Sequence, residues 1–349
     1  MTKHGSFKKV VRRHAEETGQ RYTEALTDLE GLDARMNHEP VAEQLLAHLR
    51  DHYGIDAVAA TKLSVHNTYV FRIDRSDGEP WVARAYPPAR PRVGVEGDAA
   101  ILRFLNERSY PAERLAVEDA VSDFEGSAVL VTKFIESDPL PDGPEKISIM
   151  GDLLGRLHAL PFDEAASRPG GASGEDPSRE GTPRQDLLAA LSFLDIVATK
   201  VPASHREEFE SARDAVRSAD DGQGLPEALL HGNLLHAPDH AVVSEQGPVA
   251  INWKASGRGP RMSDFAYLMW GTWLDEPCID AGVRAYREHI EVTKEKLERL
   301  HTVMNIRPLY LMGIDYRRKI DSGQPLKVDW YNPEYTREAA AAVRAAFRR

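Results

Sequence analysis

The chain changes character near Pro144, and this change limits the folds open to it more than any other feature. Before it, residues 68–73, 81–86 and 127–134 are short runs rich in branched and aromatic side chains, a composition typical of β-strands. Residues 95–108, between the second and third runs, have the apolar spacing of a helix. Strands with one interposed helix indicate an α+β lobe built on an antiparallel sheet.

After this point the apolar residues follow helical spacing. A leucine stripe over residues 149–160 begins the pattern, and further helices are predicted towards the end of the chain. Residues 41–52 also predict a helix, the last in a polar N-terminal segment. We therefore divide the chain into a helical extension (1–54), a sheet-containing lobe (55–135) and a helical lobe (136–349).

Composition excludes several classes of protein. The net charge of −11 disfavours a nucleic-acid partner and is compatible with a cationic small molecule or peptide. No apolar run is long enough for a transmembrane helix, and the N-terminal residues do not have the pattern of a secretory signal. Cys278 is the only cysteine, so no internal disulfide is possible and a cytoplasmic location is expected.

Two segments contain the chemically informative residues, 229–236 (LLHGNLLH) and 249–266 (VAINWKASGRGPRMSDFA). The sequence has no G-x-x-x-x-G-K-[ST] loop, no G-x-G-x-x-G loop and no G-x-S-x-G elbow. The usual phosphate-loop, dinucleotide and hydrolase signatures are therefore excluded.

These segments resemble the catalytic core of the aminoglycoside phosphotransferase and choline kinase family, which has H-G-D-L-H-x-x-N in the first and I-D-W-x-x-x-G-x-G-x-x-x-x-D-L-A in the second. Upstream, residues 81–87 resemble the family's phosphate-binding strand and residues 96–102 the helix with its acidic partner. Residues 129–134 resemble the hinge. The resemblance covers residues 55–305 and implies a protein-kinase-like fold, with a small antiparallel-sheet lobe and a mainly helical lobe.

The resemblance also implies a site for ATP or another nucleotide between the lobes. Arg84 would bind phosphate through its forked donors. Its expected partner is Asp98, by register with the following apolar run, and Glu96 is the alternative. A surface ion pair is the competing interpretation of these charges.

Other nucleotide contacts would come from a strand turn and from the hinge. Ser64 and Asn67 lie at the first turn, which lacks glycine and has a bulky tip. Their polar groups can bind phosphate, or the tip can obstruct it. The backbone from Thr132 to Phe134 would receive adenine.

In the core segments the sequence departs from the family. His231 matches the family's structural histidine, and Asp264 matches an acid that mainly supports the catalytic loop. Asn233 replaces the base, and an amide cannot accept the proton of a hydroxyl. Asn252 replaces the principal metal ligand, and Mg²⁺ prefers anionic oxygen. Magnesium binding is therefore doubtful.

A third metal ligand is expected near Pro238, which has no side-chain donor. A shifted alignment would bring Asp239 or His240 to that position instead. His231, His236 and His240 together with Asp239 also suggest a transition-metal site. Every one of these assignments has a competing interpretation as ordinary loop structure.

Three functions follow from this pattern. The first is a pseudokinase that binds a small molecule, peptide or protein partner without transferring phosphate. The second is a divergent ATP-dependent phosphotransferase acting on a hydroxyl of a small metabolite, antibiotic or peptide. The third is a metal-binding interaction module. Asp275, Glu276 and Asp280 lie where family members place acids for cationic substrates, although solvent-exposed charge explains them as well. The sequence leaves the oligomeric state open.

Overall fold

A five-stranded antiparallel sheet forms the first lobe, with its strands in the order β1-β2-β3-β5-β4. The strands are β1 (Ala57–Val65), β2 (Tyr69–Arg75), β3 (Trp81–Ala85), β4 (Val121–Phe124) and β5 (Ser127–Lys133). The computed structural model describes residues 41–65, 69–86, 90, 92–161, 183–234, 240–326 and 331–349. The helices predicted before residue 41 lie outside these ranges. The antiparallel sheet predicted from the alternating segments is confirmed.

Two helices flank this sheet. Helix α1 (Ala42–Tyr53) buries three leucines and ends at Gly54, whose φ of 65° lies in the left-handed region. Glycine adopts this conformation without steric cost. Helix α2 (Arg92–Glu107) follows β3 and buries Ile101, Leu102 and Leu105.

The second lobe is mainly helical, as predicted. Its helices are α3 (Pro144–His158), α4 (Pro183–Val197), α5 (Arg206–Arg217), α6 (Arg261–Trp270), α7 (Glu276–Arg287), α8 (Lys294–Glu298), α9 (Leu300–Val303), α10 (Ile306–Ser322) and α11 (Pro333–Ala346). In the described ranges, none of the helices has both the length and the apolar character needed to cross a membrane.

The described part of this lobe also contains two small sheets. Strand β7 (Glu227–Leu230) pairs antiparallel with β10 (Gly257–Pro260). Strands β6 (Asp138–Pro139), β8 (Ala241–Ser244) and β9 (Gly247–Ala250) form the other sheet in that order. The loops that leave β7 and β9 contain the two segments singled out from the sequence.

The loop after α2 belongs to the first lobe and contacts the second lobe. Ala112 forms a parallel bridge with Ala250 at the end of β9. The Ala250 amide donates to the Pro111 carbonyl at 2.9 Å, and the Glu113 amide donates to the Ala250 carbonyl at 3.1 Å. These bonds place Glu113 where the first lobe meets the loop that follows β9.

Glycine permits a close approach between α3 and α7. A Cβ atom on Gly151 would lie 2.7 Å from the carbonyl oxygen of Gly282, so neither backbone has room for a side chain at this crossing. We therefore expect Gly151→Ala to lower the free energy of unfolding by about 1–3 kcal/mol through overpacking.

Urea unfolding measures this loss. Glu145→Ala, on the exposed first turn of the same helix, is the control and should change stability by less than ~0.5 kcal/mol. Equal stability of Gly151→Ala and the wild type would show that the two helices are not in close contact.

Candidate functional site

The loop after β7 is fixed by the buried carboxylate of Asp264, on the first turn of α6. Its Oδ2 accepts a hydrogen bond from the His231 amide at 2.7 Å, and its Oδ1 accepts one from the Gly232 amide at 3.0 Å. Gly232 has a φ of 77°, a value that favours glycine. Asp264 is 4% exposed, so both oxygens are committed to holding the loop.

The ionised form of Asp264 is stabilised in spite of its burial. Burial acts to raise the pKa of this carboxyl, but His158, His231 and the Gly232 amide together lower it. His158 Nε2 lies 3.7 Å from Asp264 Oδ2, and His158 Nδ1 is 2.9 Å from the Tyr286 hydroxyl. The Asp264 carboxylate is thus surrounded by groups that hold it in place beside the loop after β7.

His231 is a structural histidine. It is fully buried, and its Nε2 donates to the Ile251 carbonyl at 2.9 Å while its ring packs 4.7 Å from the ring of Trp253. Burial lowers the pKa of His231, although the Asp264 charge acts to raise it. The hydrogen bond to Ile251 occupies Nε2, while the buried Nδ1 atom has no hydrogen-bond partner among the described residues.

The proposed histidine metal site is only partly described. His236 and Asp239 lie outside the described residues. The rings of His231 and His240 are 6.1 Å apart. Within the described ranges, the group with separations suited to a metal is Asp152, Glu288 and His289, which includes none of the predicted ligands.

Asn233 lies between a histidine and an arginine. Its Oδ1 accepts a hydrogen bond from Arg307 Nη2 at 3.1 Å, and its Nδ2 lies 2.9 Å from His240 Nε2. Since a guanidinium can only donate, the amide oxygen must face Arg307 and the amide nitrogen must face His240. His240 Nε2 is then the acceptor, and its ring carries no proton on that atom.

Arg307 is held by a buried carboxylate. Its Nη1 donates to both oxygens of Asp186, at 2.8 and 2.7 Å. The guanidinium also faces the rings of Tyr310, at 4.7 Å, and Tyr267, at 5.6 Å. Burial acts to lower the pKa of Arg307, but Asp186 and the two tyrosines raise it. Arg307 therefore stays charged although it is 11% exposed.

The structure corrects the expected partner of Arg84. Arg84 Nη2 lies 2.6 Å from Glu113 Oε2, and Arg84 Nη1 donates to the Thr132 hydroxyl at 3.0 Å. Asp98, the predicted partner, instead binds Arg90 at 2.7 Å. Helical register identifies the buried face of α2, but it does not reveal that the loop after α2 brings an acid to β3.

Glu113 also binds the loop that follows β9. Its Oε1 accepts a hydrogen bond from the Asn252 amide at 2.8 Å. Asn252 has φ 68° and ψ 60°, a left-handed conformation that asparagine tolerates better than most residues. The Asn252 side chain makes no hydrogen bond to any described residue. Asn252 thus offers a neutral amide at the expected metal position.

The hinge makes contacts of its own. The Lys133 amide donates to Arg114 and the Phe134 amide donates to Pro80, at 2.8 and 3.0 Å. The Phe134 ring stacks under the guanidinium of Arg72 at 4.3 Å, and Thr132 binds Arg84. These groups are therefore engaged within the protein.

The predicted phosphate turn is only partly described. Ser64 belongs to β1 and pairs with Val70, but its side chain lies outside the description, as does Asn67. Their predicted contacts with phosphate remain predictions.

The acids expected to face a cationic substrate have other partners. Asp275 caps α7 by accepting a hydrogen bond from the Cys278 amide at 2.8 Å. Glu276 pairs with Arg349 at 3.1 Å, and Asp280 pairs with the same arginine. These contacts support the simpler interpretation of the three acids.

Comparison with known proteins identifies the family. A model of the phosphotransferase enzyme family matches residues 61–299, which is more than half of the chain. The chain belongs to this phosphotransferase family. A search of curated proteins finds no match.

Solved structures confirm the kinase-like fold of this phosphotransferase-family chain. The amicoumacin kinase hAmiN, in complex with AMP-PNP, Ca²⁺ and Ami, is 12% identical with a TM-score of 0.59, over 91% of this chain and 95% of that one. The choline kinase LicA from Streptococcus pneumoniae is 14% identical with a TM-score of 0.59, over 87% and 99%. The aminoglycoside phosphotransferase APH(3'')-Id from Streptomyces rimosus is 18% identical with a TM-score of 0.53, over 77% and 98%.

Sequence analysis missed three residues of the site in this family member: Glu113, Asp186 and Arg307. None lies in either core segment. Arg307 is 74 residues from Asn233 and 121 from Asp186, so no local spacing links them. The single available signal is that Asp186 and Arg307 each fall at the start of a predominantly apolar helix.

Asp186 and Arg307 should be strongly coupled in stability. Arg307→Met removes the arginine that neutralises the buried carboxylate of Asp186, and we expect it to cost about 3–5 kcal/mol. Adding Asp186→Asn removes that charge, so the double variant should be more stable than Arg307→Met alone. A double-mutant cycle by urea unfolding measures the coupling. Additive effects would contradict the ion pair.

Stability should fall as the pH drops below about 6.5. Burial lowers the pKa of His158 from its ordinary 6.5, although Asp264 acts to raise it. Below pH 6.5 the His158 imidazole therefore binds a proton in the unfolded chain but not in the folded chain, and this difference favours unfolding.

Urea unfolding between pH 8 and pH 5 tests this expectation. His158→Gln should flatten the slope by at most about 1.4 kcal/mol per pH unit. Near pH 8 neither the folded nor the unfolded chain carries this proton. The difference in unfolding free energy between His158→Gln and the wild type at that pH therefore measures the loss of packing alone. An unchanged slope in the variant would show that His158 does not carry the effect.

Proposed function

We propose that this chain is a phosphotransferase-family pseudokinase, impaired in Mg-ATP phosphoryl transfer, that acts by binding a small molecule, peptide or protein partner. The proposal rests on the environment of Asn233. Its amide oxygen accepts from Arg307 and its amide nitrogen donates to His240. The group at the expected base position therefore has no basicity, and its hydrogen bonds are used inside the protein.

Loss of the base alone is costly. General-base assistance commonly contributes a factor of ~10²–10⁴ in rate. His240 does not replace it directly, because its Nε2 faces the Asn233 amide. Asp186 does not replace it either, because both of its oxygens accept hydrogen bonds from Arg307.

The described residues do not suit Mg²⁺. This ion prefers anionic oxygen in octahedral geometry, and Asn252 supplies only a neutral amide. Two buried acids of the described site already have partners. Glu113 binds Arg84 and the Asn252 amide, and Asp264 binds the His231 and Gly232 amides. We therefore derive no catalytic step that uses magnesium.

The chemistry of the partner follows from charge. With a net charge of −11, the protein attracts cationic ligands more readily than anionic ones. The single cysteine, Cys278, is buried and forms no disulfide, which is compatible with a cytoplasmic location where thiols stay reduced. A cationic small molecule or peptide is therefore the first class to screen.

The alternative is a divergent ATP-dependent phosphotransferase that acts on a hydroxyl of a small metabolite, antibiotic or peptide. The observation in its favour is the fold shared with a kinase whose structure holds AMP-PNP and Ca²⁺. This alternative needs a base other than Asn233, and Asp239, outside the described residues, stays a prediction for that role.

A turnover assay distinguishes the pseudokinase from the divergent phosphotransferase. Purified protein is incubated with ATP and with Mg²⁺ or Mn²⁺, with and without a panel of hydroxyl-bearing cationic acceptors, and ADP release is followed. We expect the rate to equal that of the protein-free blank with each metal. Arg84→Met removes the side chain that is expected to bind the phosphate of ATP. This variant is the matched control and should give the same rate. Metal-dependent ADP release that Arg84→Met abolishes would establish the divergent kinase instead.

A further inference from the structure

A pair of histidines on helix α1, outside the candidate functional site, has the spacing of a metal chelate. His48 and His52 are four residues apart on this helix (Ala42–Tyr53), so their side chains lie one turn apart on the same face. Two histidines at this spacing on one helix bind Zn²⁺ in other proteins. We propose that His48 and His52 together bind a divalent transition-metal ion such as Zn²⁺ or Cu²⁺, with water in the remaining positions. This inference is independent of the proposed pseudokinase function.

The two imidazole rings are close together. Their centroids are 5.5 Å apart, and the planes of the rings differ by 19°. His48 is half-buried and His52 is exposed, so a metal ion reaches the pair from solvent. Because His52 is exposed, its side chain can turn towards a shared ion without any movement of the backbone.

Strand β4 holds the His48 ring. His48 Nε2 lies 2.9 Å from the hydroxyl of Ser122, which is fully buried, and the ring packs 5.3 Å from the ring of Phe124. We assign the proton of the neutral imidazole to Nε2, which donates to Ser122 and leaves the Nδ1 lone pair for the metal. Histidines that bind metals are commonly oriented by such a hydrogen bond at the other ring nitrogen. Ser122 is therefore a positioning residue for this site.

The charges around the pair favour a cation. Burial lowers the pKa of His48 and the neighbouring His52 lowers it further, although Asp51 and Asp123 act to raise it. The unprotonated ring is the form that binds a metal. The two carboxylates are close enough to act on a positive charge at His48, and Asp123 is also paired with Arg92. These carboxylates would therefore stabilise a divalent ion bound by the rings.

The ligand type selects the metal. Imidazole nitrogen suits Zn²⁺, Cu²⁺ and Ni²⁺, whereas Mg²⁺ and Ca²⁺ prefer oxygen. The usual order of affinities places Cu²⁺ above Zn²⁺ at such a site. The pair lies beside β4, an edge strand of the five-stranded sheet, whereas the candidate functional site is built on β3, the hinge and the loops after β7 and β9. The proposed metal is therefore separate from the magnesium of phosphoryl transfer.

Two other groups that contain histidine provide matched controls. Asp152, Glu288 and His289 form a three-membered group with separations suited to a metal, and His289 Nε2 lies 2.7 Å from Asp152 Oδ1. The transition-metal site predicted from the sequence includes His236. His289→Ala and His236→Ala each remove one imidazole from a competing group and leave α1 unchanged.

The test is calorimetric titration of the full-length protein, without an affinity tag, with Zn²⁺ and with Cu²⁺. We expect saturable binding at this pair, tighter for Cu²⁺, with which excess Mg²⁺ does not compete. Ser122→Ala should weaken Zn²⁺ binding by about 10–100-fold, the usual effect of removing a group that orients a ligand. His52→Ala removes a ligand outright and should weaken binding at least as much, whereas the two control variants should keep the wild-type affinity.

Thermal unfolding provides a second readout. A metal that binds only the folded chain raises the melting temperature, so Zn²⁺ should raise it more for the wild type than for His52→Ala. Circular dichroism checks that the variants fold. Because His52 is exposed, His52→Ala tests the site even where Ser122→Ala does not fold. Binding that does not saturate, equal Zn²⁺ affinity of His52→Ala and the wild type, or loss of the binding in either control variant would each overturn the inference.

Discussion

A carboxylate that is almost completely buried needs a cation, and Glu113 obtains one from Arg84 on β3. Its two oxygens bind Arg84 on β3 and the backbone of Asn252, and Thr132 at the hinge completes the cluster. Removal of two charges from water is costly unless their hydrogen bonds are satisfied. This one side chain therefore adds a contact that ties β3 and the hinge to the loop after β9.

The ion pair of Arg307 and Asp186 repeats this arrangement. Arg307 is neutralised by Asp186 and donates its remaining terminal nitrogen to Asn233. In the described ranges, Arg84 and Arg307 thus each have a carboxylate of the same chain as a partner.

Sequence reasoning succeeded where the information is local or lies in a motif. Periodicity predicted the sheet and the helices, and the order of motifs predicted the two-lobed fold. The same motifs singled out His231 and Asp264, whose hydrogen bonds hold the loops after β7 and β9. The predicted ion-pair partner of Arg84 was wrong, because helical register identifies the buried face of α2 but gives no information about the loop after it. Asp186 and Arg307 were missed because 121 residues separate them and neither belongs to a motif.

The amide at position 233 fits its surroundings in a way that a carboxylate does not. Arg307 offers a donor to one end of the side chain, and the unprotonated Nε2 of His240 offers an acceptor to the other. An asparagine satisfies both, since it carries an acceptor and a donor. An aspartate would place an oxygen against the Nε2 lone pair of His240, unless the neutral histidine carried its proton on Nε2 instead of Nδ1. Asn233 is therefore matched to its two neighbours, and restoring the family's acid would also require the other tautomer of His240.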